Sequence, residues 1–287
     1  MRIVVIGATK AVETKLLFKA ARKRGHGIIS LRIEELEFCG GPKKIISYRG
    51  KDIAEQVDLS IIRGMTAHPD ETLLLASYLR EKGIRVIDRR LATERYFRTK
   101  LYSAFQSAGS AVPYPLTYYV VGKKSRDDLL KKIKYPIIVK EVWGMHGRNV
   151  FRFKSRNEVA AFFTKDAEDY IIQEDLLEND YFRVFVVGDK VLGAMKRAKK
   201  RPLNNQPVRA GVKSTRIEPN KKLAEVALKS HKIFKNEISG IDIIEHSGKY
   251  YMIEANRTPQ FSAFSEIVGV NVAEEIVKYM EKTLKDL

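Results

Sequence analysis

Residues 240–261 read GIDIIEHSGKYYMIEANRTPQF. Two apolar runs flank Ser247–Gly248, so the stretch predicts a β-hairpin. Asp242 and Glu254 interrupt those runs, and Asn256 follows two places later. A carboxylate in a buried sheet is costly unless something pairs it. Side chains alternate faces along a strand, so Glu254 and Asn256 share one face. Whether Asp242 joins them depends on the turn. A two-residue turn at Ser247–Gly248 sets Asp242 opposite Ile253 and leaves Glu254 on the other face. A three-residue loop, His246-Ser247-Gly248, pairs Asp242 with Met252 and makes Glu254 its diagonal neighbour at about 7–8 Å. Joint action of the two acids therefore predicts the three-residue loop. Two carboxylates and an amide oxygen are hard ligands suited to Mg²⁺ that also binds substrate phosphates. The competing reading is two solvent-facing acids on an amphipathic sheet.

The other jaw of such a site is KEVWGMHGRNV, residues 140–150. Lys140 ends an apolar strand, and Gly144 and Gly147 bracket a turn whose N–H groups can cover phosphates. The segment lacks GxxxxGK[ST] and does not open a helix, so it is neither a Walker loop nor a dinucleotide fingerprint.

Around these segments the chain alternates strand and helix over residues 1–90: RIVVIGA, the helical spacing of Val12, Leu16, Leu17 and Ala20, then GIISLRI, LSIIRG and IRVID. That order argues for a small parallel α/β domain. Later segments read as antiparallel hairpins (YFRVFVVGDKVLGAMKRA) and amphipathic helices, with RPLNNQPVRAG as a polar loop. With 287 residues the chain exceeds the usual size of a single core. The expected division is 1–92, 93–175 and 176–287. The lone cysteine, Cys39, excludes an intrachain disulfide and a cysteine-cluster metal site. No stretch is long and apolar enough for a bilayer, and the start does not read as a signal peptide, so a cytoplasmic location without membrane association is expected. The net charge of +18 suits a polyanionic partner.

Together these pieces resemble the ATP-grasp superfamily, specifically RimK-type carboxylate–amine ligases. The resemblance runs in order through RTKLYSAF, PIIVK, the glycine loop, QED, YFRVFVVGDKVLGAMKR, RPLNNQPVRAG, GIDII and YMIEANRTPQF. It implies an α/β (α+β) ATP-grasp fold: the N-terminal parallel domain, a central lid subdomain and a C-terminal subdomain with a metal site. It implies Lys100 and Lys140 at the ATP phosphates, under a lid containing Gly144 and Gly147. Gln173, Glu174 and Asp175 would lie at the adenine, and Tyr181 stands where the family has its ribose-binding Asp, with Asp180 beside it. Asp242, Glu254 and Asn256 would hold one or two Mg²⁺, with Mn²⁺ as a substitute. Arg183 would stabilise charge at the reacting carboxyl group, with Arg197 and Arg209 as further phosphate or substrate contacts.

The chemistry implied is amide formation: ATP phosphorylates a carboxylate, and an amine attacks the acyl phosphate. The family's third lid glycine is Asn149 here, and its Arg-x-Asn in the polar loop falls at Asn204 and Gln206. Glutamate is therefore not carried over as the added amino acid. The basic cluster around the polar loop, including Lys196, Arg197, Arg209 and Arg216, suits an acidic peptide or protein tail as the carboxylate substrate, with an amino acid as the amine. The alternative is a nucleic-acid binder built on the same scaffold without ligase activity. Self-association into a homo-oligomer fits the family but has no sequence seam behind it.

Overall fold

The structure, a computed structural model, describes residues 1–64, 67–92, 99–142, 150–163, 169–176, 181–197 and 214–285. Gly144, Gly147 and Arg209, together with Trp143, His146, Asn149, Asp180, Asn204 and Gln206, lie outside the described residues.

The N-terminal sheet has four parallel strands in the order Gly27–Leu31, Arg2–Ile6, Leu59–Ile62, Arg85–Ile87. Its strands are nearly continuous runs of Val, Ile and Leu, as expected of a parallel sheet covered on both faces. The helix Val12–Lys23 buries Leu17, Ala20 and Ala21 against it and turns Lys15, Lys19 and Arg22 to solvent. A small antiparallel sheet, Leu36–Cys39, Ile45–Tyr48 and Lys51–Asp52, is inserted between the second and third parallel strands. The sequence reading did not find it, because its strands are only two to four residues long and bury just Leu36 and Ile46.

A second sheet is antiparallel, in the order Val150–Phe153, Ile137–Glu141, Tyr170–Glu174, Thr117–Tyr119. It has its own core of Val139, Phe153, Val159, Phe163 and Ile172. The third sheet has five antiparallel strands: Ser214–Ile217, Lys190–Arg197, Tyr181–Val187, Ile238–His246 and Lys249–Asn256.

The first and third sheets share one continuous core. Ile3, Val5, Leu17 and Ile61 of the former pack with Phe185, Phe261, Phe264 and the helix Val272–Lys285 of the latter. That last helix buries Val272, Ile276, Val277 and Met280 on one face. It carries Glu274 and Glu275 in its first turn and Lys282 and Lys285 in its last, matching the helix dipole. Arg24 and His26 clamp its far end through Glu281, at 2.6 Å and 2.7 Å. The N-terminal sheet is thereby fixed to the sheet that carries the candidate metal ligands.

Candidate active site

The hairpin corrects the expected loop. His246 pairs with Lys249, so the turn is the two-residue Ser247–Gly248, with φ of 49° and 73°. Both residues are left-handed, the type I′ geometry whose twist matches that of the flanking strands, and Gly248 adopts it without a Cβ penalty. This turn alone would put the two acids on opposite faces. A β-bulge restores them. The register runs Ile243 to Met252 and then Asp242 to Glu254, skipping Ile253. One extra residue flips every later side chain, so Asp242 and Glu254 stand directly opposite each other on one face.

The neighbouring strand extends the row, because Arg183 pairs with Asp242. Arg183, Asp242 and Glu254 thus form one rung across three strands. Arg183 grips Asp242 with both arms of its fork, Nε to Oδ1 at 2.5 Å and Nη2 to Oδ2 at 2.7 Å. Burial alone would lower the Arg183 pKa, but the Asp242 charge raises it above its ordinary value. One rung along the same face, Asn256 lies opposite Gly240. A Cβ on Gly240 would come within 2.9 Å of Pro259 Cβ and 3.1 Å of Arg183 Cδ. Glycine is therefore what lets Arg183 lie across the sheet.

Two lysines approach this rung from other elements. Lys100 opens the helix Lys100–Ser107, whose N-cap Thr99 accepts a hydrogen bond from the Tyr102 N–H at 3.0 Å. Its Nζ donates to the Glu141 carbonyl at 2.9 Å. Lys140, on the strand Ile137–Glu141, donates to Gln173 Oε1 at 2.5 Å. The charges meet at Glu254. Burial and the like charge of Asp242 raise its pKa, while Lys100, Arg183 and Lys140 oppose the rise. The Lys100 pKa is lowered by burial despite Glu254. A carboxylate whose ionised form is disfavoured by burial and a neighbouring like charge, as at Glu254, gains from a cation.

The remaining sequence-derived residues fall into place unevenly. Gln173 is buried between Lys140 and Thr117, donating to Thr117 Oγ1 at 2.8 Å. The Glu174 carboxylate accepts the Leu116 N–H at 2.7 Å. The Asp175 carboxylate is buried in an ion pair with Arg152. Tyr181 lies under the Arg197 guanidinium, 5.4 Å from ring centroid to charge, and burial followed by the Asp242 charge raises its pKa.

One residue was missed. Tyr114 contacts Gln173 and feels the Glu254 charge, and burial followed by that charge raises its phenol pKa. Its only sequence signal is its place between Pro113 and Pro115 in the extended link that runs beside the hairpin, where the Pro113 carbonyl accepts the Met252 N–H at 2.9 Å.

A metal fits this face in its donor chemistry. Asp242 and Glu254 supply anionic oxygens, Asn256 a neutral one, and the strained ionisation of Glu254 marks where positive charge is missing. Asp242 would share its oxygens between Arg183 and such an ion.

The chain belongs to the RimK-like ATP-grasp domain family, which matches residues 97–280. It is thereby an ATP-grasp ligase, an enzyme type that uses ATP. Among relatives, the "Probable alpha-L-glutamate ligase" of Stutzerimonas stutzeri (strain A1501) is 27% identical over 98% of this chain and 96% of its own. The "Alpha-aminoadipate--LysW ligase LysX" of Sulfurisphaera tokodaii is 24% identical over 95% of each chain. Among solved structures, the ATP-grasp ligase PsnB, complexed with minimal precursor, Mg and ADP, superposes with a TM-score of 0.75. It is 18% identical and covers 98% of this chain and 97% of its own. D-cycloserine synthetase DcsG gives 0.73 at 14% identity, over 99% of this chain and 100% of its own. No helix among the described residues is long and apolar enough to cross a membrane.

Proposed function

We propose that this protein is an ATP- and Mg²⁺-dependent carboxylate–amine ligase that forms an amide through an acyl phosphate. The rung Arg183–Asp242–Glu254, faced by Lys100 and Lys140, carries the reading. It sets two acids, suited to Mg²⁺, against three cations suited to phosphate and carboxylate oxygens.

Asp242, Glu254 and Asn256 would hold the metal, which when bound neutralises charge on the phosphate oxygens during transfer. Lys100 and Lys140 bind phosphate oxygens as point charges. Both are partly withdrawn from water, which strengthens each contact. Gln173 holds Lys140 in place and turns its amide toward Thr117. Arg183, kept charged and oriented by Asp242, stabilises the negative charge that develops on the oxygen of the activated carboxyl group as the amine attacks its carbon. Arg197, stacked on Tyr181, extends this cationic edge toward the residues after position 197. Arg209 and the lid glycines Gly144 and Gly147 complete the proposed machinery by sequence. The division at 92/93 and 175/176 belongs to the same reading, supported by the separate core of the second sheet.

The substrates are an acidic carboxylate, free or at the end of a peptide, and an amino acid as the amine. The glutamate ligase names of the relatives and the precursor peptide PsnA2, bound by PsnB in a further solved structure, support that class. The test is ADP release in a matrix of carboxylates and amines with ATP and Mg²⁺. Turnover should require one of each, and Asp242→Asn should abolish it with the fold intact. ADP release that ignores both substrates would sink the reading.

A further inference from the structure

The helix Val12–Lys23 carries Lys15, Lys19, Arg22 and Lys23 against one acid, Glu13. That acid is turned inward. Its Oε1 accepts from the Phe261 and Ser262 N–H groups and the Ser262 hydroxyl, at 3.2, 3.3 and 3.0 Å. Lys15, Lys19 and Arg22 recur at steps of four and three residues, which puts them on one face. All three are exposed, and among the described residues none is ion-paired. Three lysines on other helices are offset within one turn: Lys123 by Asp127 at 2.8 Å, Lys131 by Asp128 at 2.8 Å and Lys278 by Glu275 at 2.9 Å. On Val12–Lys23 the like charges instead stand together, an arrangement that weakens a helix.

The three cations border an open cleft of about 480 Å³, within the range of small-ligand pockets. Its far walls are Thr9, just after the strand Arg2–Ile6, and Ser30 on the outer strand Gly27–Leu31. The Thr9 and Ser30 hydroxyls have no partner among the described residues. Thr14, at the base, donates its hydroxyl to the Ala8 carbonyl at 2.8 Å and so fixes the Thr9 wall. Phe18 closes the remaining side, with the Arg22 guanidinium 5.4 Å from its ring centroid. Among the described residues no carboxylate lines the cleft.

Three cations and two free hydroxyls are more than a single carboxylate calls for. A phosphate monoester carries close to two negative charges at neutral pH and three acceptor oxygens. Lys15 and Lys19 are one turn apart, with Cβ atoms about 5–6 Å from each other, so their ammonium groups can share one phosphate. Phe18 and Arg22, also one turn apart, supply a flat wall for a ring. The cleft is separate from the candidate active site. Arg183, Asp242, Glu254, Lys100 and Lys140 all lie outside its lining, and Gly27–Leu31 is the edge strand of the first sheet.

We propose that this cleft is a second phosphate-binding site, apart from the ATP site, which takes a phosphate monoester carried on a flat ring. Lys15 and Lys19 hold the phosphate as point charges, and the Thr9 and Ser30 hydroxyls donate to its oxygens. The ring lies against Phe18 and Arg22. The site goes beyond the ligase reading and does not depend on it, since no lining residue takes part in amide formation.

The test is amine-reactive footprinting of the full chain by mass spectrometry. It reads modification of Lys15 and Lys19, with exposed Lys124 on the helix Lys123–Lys132 as the control. The readout is local, so nucleotide bound at the ATP site does not contribute. The probes are AMP, ribose 5-phosphate, adenosine and inorganic phosphate. AMP should protect Lys15 and Lys19 and leave Lys124 unchanged. It should do so at about tenfold lower concentration than ribose 5-phosphate, the worth of stacking one ring. Adenosine should not protect. Lys19→Glu should weaken AMP binding, read at Lys15, by about tenfold or more. Phe18→Leu should bring AMP to parity with ribose 5-phosphate, and if that variant does not fold, Arg22→Gln makes the same comparison. No protection by AMP overturns the proposal. Equal protection by AMP and inorganic phosphate also overturns it, because the lysines are then a general anion patch. So does protection by adenosine matching that by AMP, or protection of Lys15 by AMP that Lys19→Glu leaves unchanged.

Discussion

Replacing Glu254 with Gln should act with opposite sign on the metal-free protein and on its Mg·ADP complex. Glu254 and Asp242 are directly opposed on two paired strands, which sets their Cβ atoms about 5 Å apart, taken as the scale for their charges. At an effective dielectric near 20 their repulsion is roughly 3 kcal/mol. The forked bond from Arg183 to Asp242 and the charges of Lys100 and Lys140 cancel most of it. The remainder, on the order of 1 kcal/mol or less, is relieved in the metal-free variant, with the sign that the raised Glu254 pKa gives. Gln keeps the shape and one carbonyl oxygen, so no cavity opens.

The pH dependence follows from the raised pKa. The folded protein holds the Glu254 proton more tightly than the unfolded chain does. Its penalty is therefore absent below the ordinary value of 4.5, grows as pH rises toward the raised folded value, and is complete above it. The metal-free variant should match the unmutated protein at pH 4 and exceed it at pH 7.5. With Mg·ADP the order should invert, because the unmutated protein gains stability by linkage and the variant loses most of that gain. Thermal melts at the two pH values, with and without Mg·ADP, read all four states. A metal-free variant destabilised by about 3 kcal/mol, or one that keeps the full Mg·ADP shift, would refute the electrostatic account.

Other consequences are simpler. Lys140→Ala should raise the KM for ATP about tenfold or more by removing a phosphate contact and releasing Gln173, measured by initial rates of ADP formation. Tyr114→Phe should cost about 1 kcal/mol of stability, read by denaturant titration, and shift KM for ATP more than kcat. Gly240→Ala should displace Arg183 and lower kcat strongly while the far-UV circular dichroism stays unchanged. Glu281, held down to about 2 by Arg24 and then His26, gives stability that is present above 4.5 and lost as pH falls toward 2. Glu281→Gln should therefore cost about 1 kcal/mol at pH 7, discounted for its position near the surface, with most of that cost gone as pH falls to the folded value.

Much of this molecule is written locally. The apolar runs of Arg2–Ile6 and Leu59–Ile62 predict buried parallel strands, and the helical spacing of Val12, Leu16, Leu17 and Ala20 predicts the covering helix, although Val12 at its first turn is exposed. These features depend on nearest neighbours along the chain, which is why they are legible. The acids at 242 and 254 were legible as a pair because a buried sheet tolerates them only with a partner.

The register that joins them was not legible. A type I′ turn at Ser247–Gly248 and a bulge at Ile253 each reverse the face of the later residues, and together they cancel. No local pattern distinguishes that from the three-residue loop without a bulge, because both leave Asp242 and Glu254 on one face. Tyr114 was invisible for a different reason. Its place beside Gln173 and within reach of the Glu254 charge arises from packing between segments far apart in the chain. The sequence by itself determined which residue types are available for the chemistry. The tertiary structure decided which of them share a face, because desolvation and charge act through space and not along the chain.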